Sequence, residues 1–427
     1  MTEHQLISDR YRRLRLQLLV TTFVGYALYY FCRKNISLVL PTLGKELHYS
    51  NTQLGLLGSL LYITYGAGKF VNGVLGDHLN PRRLMALGLL LSAISCALFG
   101  ASHSLLLFSI CWALNGWFQS MGFPPCARIL SNYFSVSERG FIWSIWNISH
   151  QVGAVGILLL AGFLTEHYGW RSAFFGPALL CAIGSVGLLF WLRDVPASEG
   201  LPPVAQWRND PELDRDGSPL TSEPESIRQV LFGRVLRNRE VWLVSLMNLF
   251  VYIVRSGAFD WAPKYLVERK GSSLSRAGYT TALFEVAGML GALLIGVLSD
   301  KLYDGRRAPL CFGYMLLTAV AVGALYVVPS HSQVGDAFAL SLLGFAVYGP
   351  QFLVGVFATD LASPKASATA IGLTGLFGYA GSALSGVGTG YVVDRFGWAG
   401  GFAFFGISAL CGVICILPLW YAGVRRR

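Results

Sequence analysis

The sequence predicts an all-α membrane protein of twelve transmembrane helices in two six-helix halves related by a pseudo-two-fold axis. Three observations predict it. The 427 residues are 54% hydrophobic and only 13% charged, with a mean hydropathy of +0.52, where a soluble domain carries about 25% charged residues. Apolar runs of roughly twenty residues, the length that crosses a bilayer, recur six times, stop for a polar stretch, and recur six times more. Short motifs of the first half also return in the second at a nearly fixed offset.

The runs fall near 17–41, 53–76, 83–102, 105–130, 140–165 and 172–192, then near 240–265, 277–299, 309–328, 335–360, 366–393 and 399–422. Between them lies "RDVPASEGLPPVAQWRNDPELDRDGSPLTSEPES", rich in Pro, Asp, Glu and Arg and without a sustained helical period, which reads as a linker. The expected organisation is an N-terminal half at 1–195, a cytoplasmic linker at 196–238 and a C-terminal half at 239–427. The repeats support that division. "GVLGDHLNPRR" at Gly73 returns as "GVLSDKLYDGRR" at Gly296, 223 residues on; "YGWRSAFFG" at Tyr168 returns as "FGWAGGFAFFG" at Phe396, 228 on; the second proline of "GFPP", Pro125, matches Pro350 of "YGP", 225 on.

The net charge of +10 does not mark a nucleic-acid protein, because no basic stretch carries the aromatic interleaving of such a module. It serves topology instead: with the N-terminus inside, 22 of the 33 Lys and Arg face the cytoplasm, among them Arg10, Arg82, Arg83, Arg306 and Arg307, so both termini and the linker are expected there. The polar start "MTEHQLISDRYRRLRLQ" has no cleavage site behind the first apolar run and reads as a retained tail. The eight cysteines lie almost entirely within apolar runs, with no metal-ligand spacing, and read as small packing residues.

Seven ionisable residues fall deep within the runs: Arg33, Lys34, Lys69 and His150 in the first half, Arg255, Asp260 and Glu285 in the second. Such residues default to functional candidates, facing a bundle interior or a watery cavity. Two acids can neutralise two of the four fixed cations, which leaves a surplus of two positive charges, and a phosphate monoester carries nearly two negative ones at pH 7. Arg33 and Arg255 are 222 residues apart, close to the repeat offset, and so occupy equivalent places on the first helix of each half. Two guanidinium forks near the midplane suit a phosphoryl group, whose oxygens Arg grips in a bidentate way. Tyr26, Tyr29 and Tyr30 stand seven, four and three residues before Arg33 and share its face; Tyr252 precedes Arg255 by three and Tyr65 precedes Lys69 by four. These tyrosines lie too deep for an interfacial belt and are candidates to line a substrate cavity or to hold the arginines. Lys34 points about 100° away from Arg33. The two Asn-Ile-Ser triplets, at Asn35 and Asn147, fall within the bilayer and are not glycosylation sites. No Walker lysine motif is present, so ATP is not the expected energy source; the chain is not expected to be an enzyme or to carry a cofactor or metal.

The motifs "GYALYYFCRKN", "YGAGKFVNGVLGD", "GFPPCARIL", "ERGFIWSIWNISHQVG", "VYIVRSGAFDWAPKYL" and "GLTGLFGYAGS", with the Gly-x-x-x-Asp-x-x-x-x-Arg-Arg loop after the second span, resemble the organophosphate:phosphate antiporters of the major facilitator superfamily. The likeness covers essentially the whole chain. It implies exchange of glycerol 3-phosphate or hexose phosphate for inorganic phosphate, with Arg33 and Arg255 as the phosphate ligands. It implies cross-half ion pairs of Lys34 with Asp260 and of Lys69 with Glu285. His150 is either a hydrogen-bonded packing residue or, by the resemblance, part of the substrate cavity, in which Trp261 is also grouped. Asp77, Arg82 and Arg83, and in the second copy Asp300, Arg306 and Arg307, match the family's cytoplasmic gating loops; the arginines serve equally as positive-inside anchors. Three readings stay open: a hexose-phosphate carrier, favoured; a glycerol-3-phosphate carrier; and a membrane sensor of hexose phosphate that signals to a histidine kinase. A proton-coupled carrier of another solute is disfavoured, because both acids have lysine partners under the resemblance. A monomer in the bacterial inner membrane is expected, with phosphorylated sugar, inorganic phosphate and the lipid bilayer as its partners and no nucleic acid.

Overall fold

A computed structural model describes residues 3–208, 229–301, 303, 306–330, 332–362 and 366–420, and among them there is no strand. The first half comprises α1 (Glu3–Lys34), α2 (Ile36–Glu46), α3 (Asn51–His78), α4 (Pro81–Ala101), α5 (Leu105–Gln119), α6 (Phe123–Tyr133), α7 (Val136–Asn147), α8 (Ser149–Tyr168) and α9 (Ser172–Trp191). After the short α10 (Val204–Arg208) come α11 (Arg239–Lys270), α12 (Leu274–Lys301), α13 (Arg307–Val327), α14 (Gln333–Leu361) and α15 (Ser367–Ile416).

Among the described residues nine helical segments are long and apolar enough to cross a membrane by length and composition. The twelve expected runs differ from these nine at three places. The first run is divided at Asn35 into α1 and α2, and α1 begins in the charged tail. The fourth breaks between Gln119 and Phe123, just before Pro124 and Pro125, whose rings and missing N–H end a helix. The last two abut without a loop, two helices within Ser367–Ile416 that meet at the non-helical Gly397. Local chemistry fixes other ends: Asn80 caps α4 by accepting from the Arg83 amide at 3.2 Å, with Pro81 at the first helical position.

The duplication is visible in the backbone. Gly169 has φ of 80° and Gly397 has φ of 65°, 228 residues apart, in the matching Gly-Trp corners. Only glycine takes such a turn without steric cost. A sequence expectation is refined nearby. The start of the linker is not structureless: Pro196–Glu199 forms a 3₁₀ turn and α10 follows. Trp207 stacks on Tyr11 at 4.4 Å and 7°, and Arg208 pairs with Glu138 at 3.0 Å. Aromatic stacking and ion pairing therefore hold this strap against the first half; 209–228 lie outside the described residues.

The chain divides into two compact units, Met1–Ile36 with Thr64–Leu213, and Ser37–Ile63 with Asp214–Arg427. The segment Ser37–Ile63 is early in the chain yet packs with the later helices. Glycines permit it: a Cβ on Gly55 would lie 2.2 Å from the Gly386 carbonyl oxygen.

Candidate functional site

In the first unit the cations sit where α1 ends. Arg33 and Lys34 form its last turn, where the exposed carbonyls give the helix a negative end that favours cations. The break is braced by amides. Gln119 Nε2 donates to the Tyr29 carbonyl at 2.8 Å, Asn115 Nδ2 to the Cys32 carbonyl at 2.6 Å, and Asn35 Nδ2 to the Ala173 carbonyl at 2.9 Å. Arg33, 7% exposed, lies over the Tyr65 ring at 4.0 Å and the Tyr30 ring at 5.2 Å. Tyr26 packs against Tyr30 and against Trp146. His150 stands 5.6 Å from the Tyr30 ring, with Nδ1 on the Asn147 carbonyl, so one of its nitrogens is occupied by the end of α7. Lys69 lies over Phe123 at 4.8 Å.

One predicted cavity residue is packed between helices. Tyr29, 1% exposed, donates its hydroxyl to the Met85 carbonyl at 2.7 Å, and its ring fills the space left by Gly88 and Gly122. It fastens α1 to α4, its hydroxyl proton committed to that carbonyl. Sharing a face with Arg33 on the helical wheel did not decide its surroundings, because α1 is buried on more than one side.

In the second unit Arg255 lies between two phenols, 5.5 Å from the Tyr252 ring and 4.6 Å from the Tyr348 ring. Its Nη2 donates to the Tyr348 hydroxyl at 2.7 Å, and that hydroxyl donates to Glu285 Oε1 and Oε2 at 2.7 and 2.6 Å. Glu285 is 2% exposed. Asp260 accepts from the Tyr62 hydroxyl at 2.6 Å and from Ser37 Oγ at 3.2 Å. Trp261 is buried and meets Trp398 edge-on at 6.3 Å.

The structure therefore gathers Arg33 with Tyr30 and Tyr65, and Arg255 with Tyr252 and Glu285. It adds residues that sequence reasoning passed over. Tyr348 was visible only as part of the repeated "YGP", and Asn115 and Gln119 were available as amides inside an apolar run. Asp394 is another: its two oxygens accept from the Asn51 and Thr52 backbone amides at 2.9 and 2.7 Å, the Asn51 side chain at 2.8 Å and the Thr52 hydroxyl at 2.6 Å, capping α3.

At the loops, Arg82 is half-buried, Arg83 exposed and Arg306 exposed at the start of α13. Arg307 pairs with Asp360 at 3.2 Å and also donates to Ser299. The side chains of Asp77 and Asp300 lie outside the described residues. Arg128, of "CARIL", takes the Gly76 and Leu79 carbonyls at the end of α3 at 3.1 and 3.0 Å and pairs with Asp194 at 3.3 Å.

Residues 22–386 match the family model of the Major Facilitator Superfamily. The chain is 39% identical, over 98% of its length and 94% of the other, to the "Probable hexose phosphate transport protein" of Chlamydia pneumoniae, and 41% identical, over 97% and 94%, to the "Glycerol-3-phosphate transporter" of Bacillus subtilis. This chain is an organophosphate:phosphate antiporter family member of the major facilitator superfamily. Family membership extends to another kind of protein, since the "Membrane sensor protein UhpC" of Escherichia coli is 37% identical over 100% of this chain and 97% of its own. The major facilitator fold is also shared with the inward-facing, occupied crystal structure of a bacterial homolog of the lysosomal transporter Spinster: TM-score 0.76 at 18% identity over 97% of both chains.

Proposed function

We propose that the protein is a secondary carrier that exchanges a sugar phosphate, hexose phosphate foremost, for inorganic phosphate by alternating access. The observation that carries this reading is the setting of Arg255, a half-buried guanidinium oriented by Tyr348 and flanked by Tyr252. Its counterpart by duplication, Arg33, lies over Tyr65 and Tyr30. The names of the relatives agree with organophosphate cargo.

In this reading Arg33 and Arg255 hold the phosphoryl oxygens, and Tyr26, Tyr30, Tyr65, Tyr252, His150 and Trp261 shape the space for the ester. Lys34 with Asp260 and Lys69 with Glu285 form ion pairs that break and re-form as the halves rock, while the Arg-rich loops gate the cytoplasmic side. The protein resides in a bacterial inner membrane with both termini inside. Moving an empty site with two surplus positive charges through a closed, low-dielectric state is costly, so loaded protein reorients faster and transport becomes exchange.

The test is counterflow in proteoliposomes. Phosphate-loaded vesicles should take up labelled phosphate and glucose 6-phosphate rapidly, and vesicles lacking internal phosphate should take up little. Equal uptake in both would overturn exchange. A competition panel of glucose 6-phosphate, glycerol 3-phosphate and phosphoglycerates reads the cargo; stronger competition by glycerol 3-phosphate would replace hexose phosphate in the proposal. A second reading, a hexose-phosphate sensor, rests on the 37% identity to a membrane sensor over the full chain. It predicts ligand-dependent thermal stabilisation without counterflow.

A further inference from the structure

A groove of about 420 Å³ lies along the outside of the first unit between α1 and α9. Its α1 wall is Gln17, Val20, Thr21, Val24, Gly25 and Leu28; its α9 wall includes Gly184, Gly187 and Trp191. Its glycines let neighbouring side chains lie flat against the helices, Leu28 over Gly184 and Trp191 over Gly187, and its apolar walls stay exposed: Val24 is 49% and Trp191 61% accessible. The polar groups at its rim are satisfied. Gln17 Nε2 donates to the Trp191 carbonyl at 2.7 Å, and Thr21 Oγ1 to the Gln17 carbonyl at 2.7 Å.

From Gln17 to Leu28 the groove runs eleven residues, about 16 Å at the helical rise. That is the depth of one leaflet, half of the roughly 30 Å hydrocarbon core. A partner transmembrane helix would need about twenty residues of wall, whereas a single acyl chain needs only this much. The mouth is marked by Trp191 and Gln17, an interfacial pairing. One turn above Gln17 on the same helical face stands Arg13, exposed beside Arg12. Neither makes an ion pair among the described residues. Nearby, Arg10 and Arg193 both reach Glu199, at 3.8 and 3.1 Å, and Asp9 is exposed one turn before Arg13. Four arginines against two acids leave the mouth positive.

We infer that this groove is a binding site for an anionic phospholipid of the leaflet on the N-terminal side, its acyl chain between α1 and α9 and its headgroup phosphate at Arg13. The site is apart from the cargo site and does not depend on the carrier or sensor reading.

Native mass spectrometry of the full-length protein, released from detergent with equal phosphatidylglycerol and phosphatidylcholine of the same chains, tests it. Wild type should retain one phosphatidylglycerol at least tenfold over phosphatidylcholine. Arg13→Gln should lower that preference about fivefold, the worth of one Arg at an anionic surface. Val24→Trp, which fills the slot from an exposed position, should lose retained lipid of both kinds at unchanged melting temperature. Equal retention of the two lipids by wild type, or wild-type retention in Val24→Trp, overturns the site. So does a wild-type dimer that Val24→Trp dissolves, since a second copy would then be the occupant. Arg13→Gln changes only an exposed side chain and keeps the headgroup arm readable if Val24→Trp misfolds.

Discussion

Arg255 and Glu285 are joined through one phenol, the Tyr348 hydroxyl accepting from the guanidinium at 2.7 Å and donating to the carboxylate at 2.6 Å. A hydroxyl that accepts from a cation and donates to an anion is polarised from both sides, and each charge-assisted bond is worth about 1.5–3 kcal/mol. The guanidinium is thereby fixed in one orientation, which under the proposed carrier function precedes the arrival of cargo.

Tyr348→Phe removes both bonds and keeps the ring. Arg255 then samples more rotamers, so the phosphate KM should rise about tenfold, equivalent to about 1.4 kcal/mol, with a smaller change in maximal rate. Counterflow kinetics at several phosphate concentrations check this. A wild-type KM would show that Tyr348 does not set the arginine.

Arg255→Lys separates fork from charge. A lysine keeps the positive charge but cannot present two parallel N–H donors to phosphoryl oxygens. Exchange should fall at least tenfold in this variant and likewise in Arg33→Lys, with folded yield preserved. Cargo charge sets a companion expectation. The second ionisation of a phosphate monoester lies near pH 6, so the affinity of wild type should weaken as pH falls through that value.

Asp394 supplies the acceptors for the free amides at the start of α3, and its negative charge suits that helix end. Asp394→Ala should cost about 1–2 kcal/mol locally. Hydrogen exchange at the first turn of α3 should then accelerate roughly five- to thirtyfold, while α4 stays unchanged. Unaltered protection of the Asn51 and Thr52 region would count against the cap as a fastening of Ser37–Ile63.

The helices and their duplication were legible because hydropathy and repeats depend on residue type and order alone. The matching Gly169 and Gly397 corners follow directly from the repeated Gly-Trp. The intramembrane charges were legible for a related reason: a bilayer makes each of them conspicuous. What pairs with them was not. Tyr348 is 93 residues from Arg255 and 63 from Glu285, and a tyrosine in an apolar run does not announce a partner. What Tyr29 touches was not legible either, because helical spacing assigns a face but not what lies against it. Asp394 was missed because a single acid at a helix end resembles a solvated loop residue. The strap at Trp207 escaped because five residues are too few to show a period.

That strap yields the last prediction. Tyr11 donates to the Pro202 carbonyl and carries Trp207 on its ring, while Arg15 lies over Trp207 and Phe134 and pairs with Glu138 at 2.5 Å. Burial pushes the Tyr11 phenol up to about 12, against an opposing pull from the Arg15 charge. A raised phenol stabilises the fold fully below the ordinary tyrosine value of 10.0 and loses that contribution as pH climbs through about 12. The strap should therefore stay closed at neutral and mildly alkaline pH and release between about 10 and 12. Trypsin cleavage after Arg208, following brief exposure to each pH, reports the opening. At pH 8, Trp207→Ala removes a stacking contact and two cation–π contacts, from Arg15 and Arg208, each worth about 0.5–1.5 kcal/mol, and should raise the cleavage rate several-fold. Tyr11→Phe keeps the ring and loses only the hydroxyl bond, so its cleavage rate should lie between wild type and Trp207→Ala and should no longer rise across the alkaline range. An alkaline rise that persists in Tyr11→Phe would assign the release to another group.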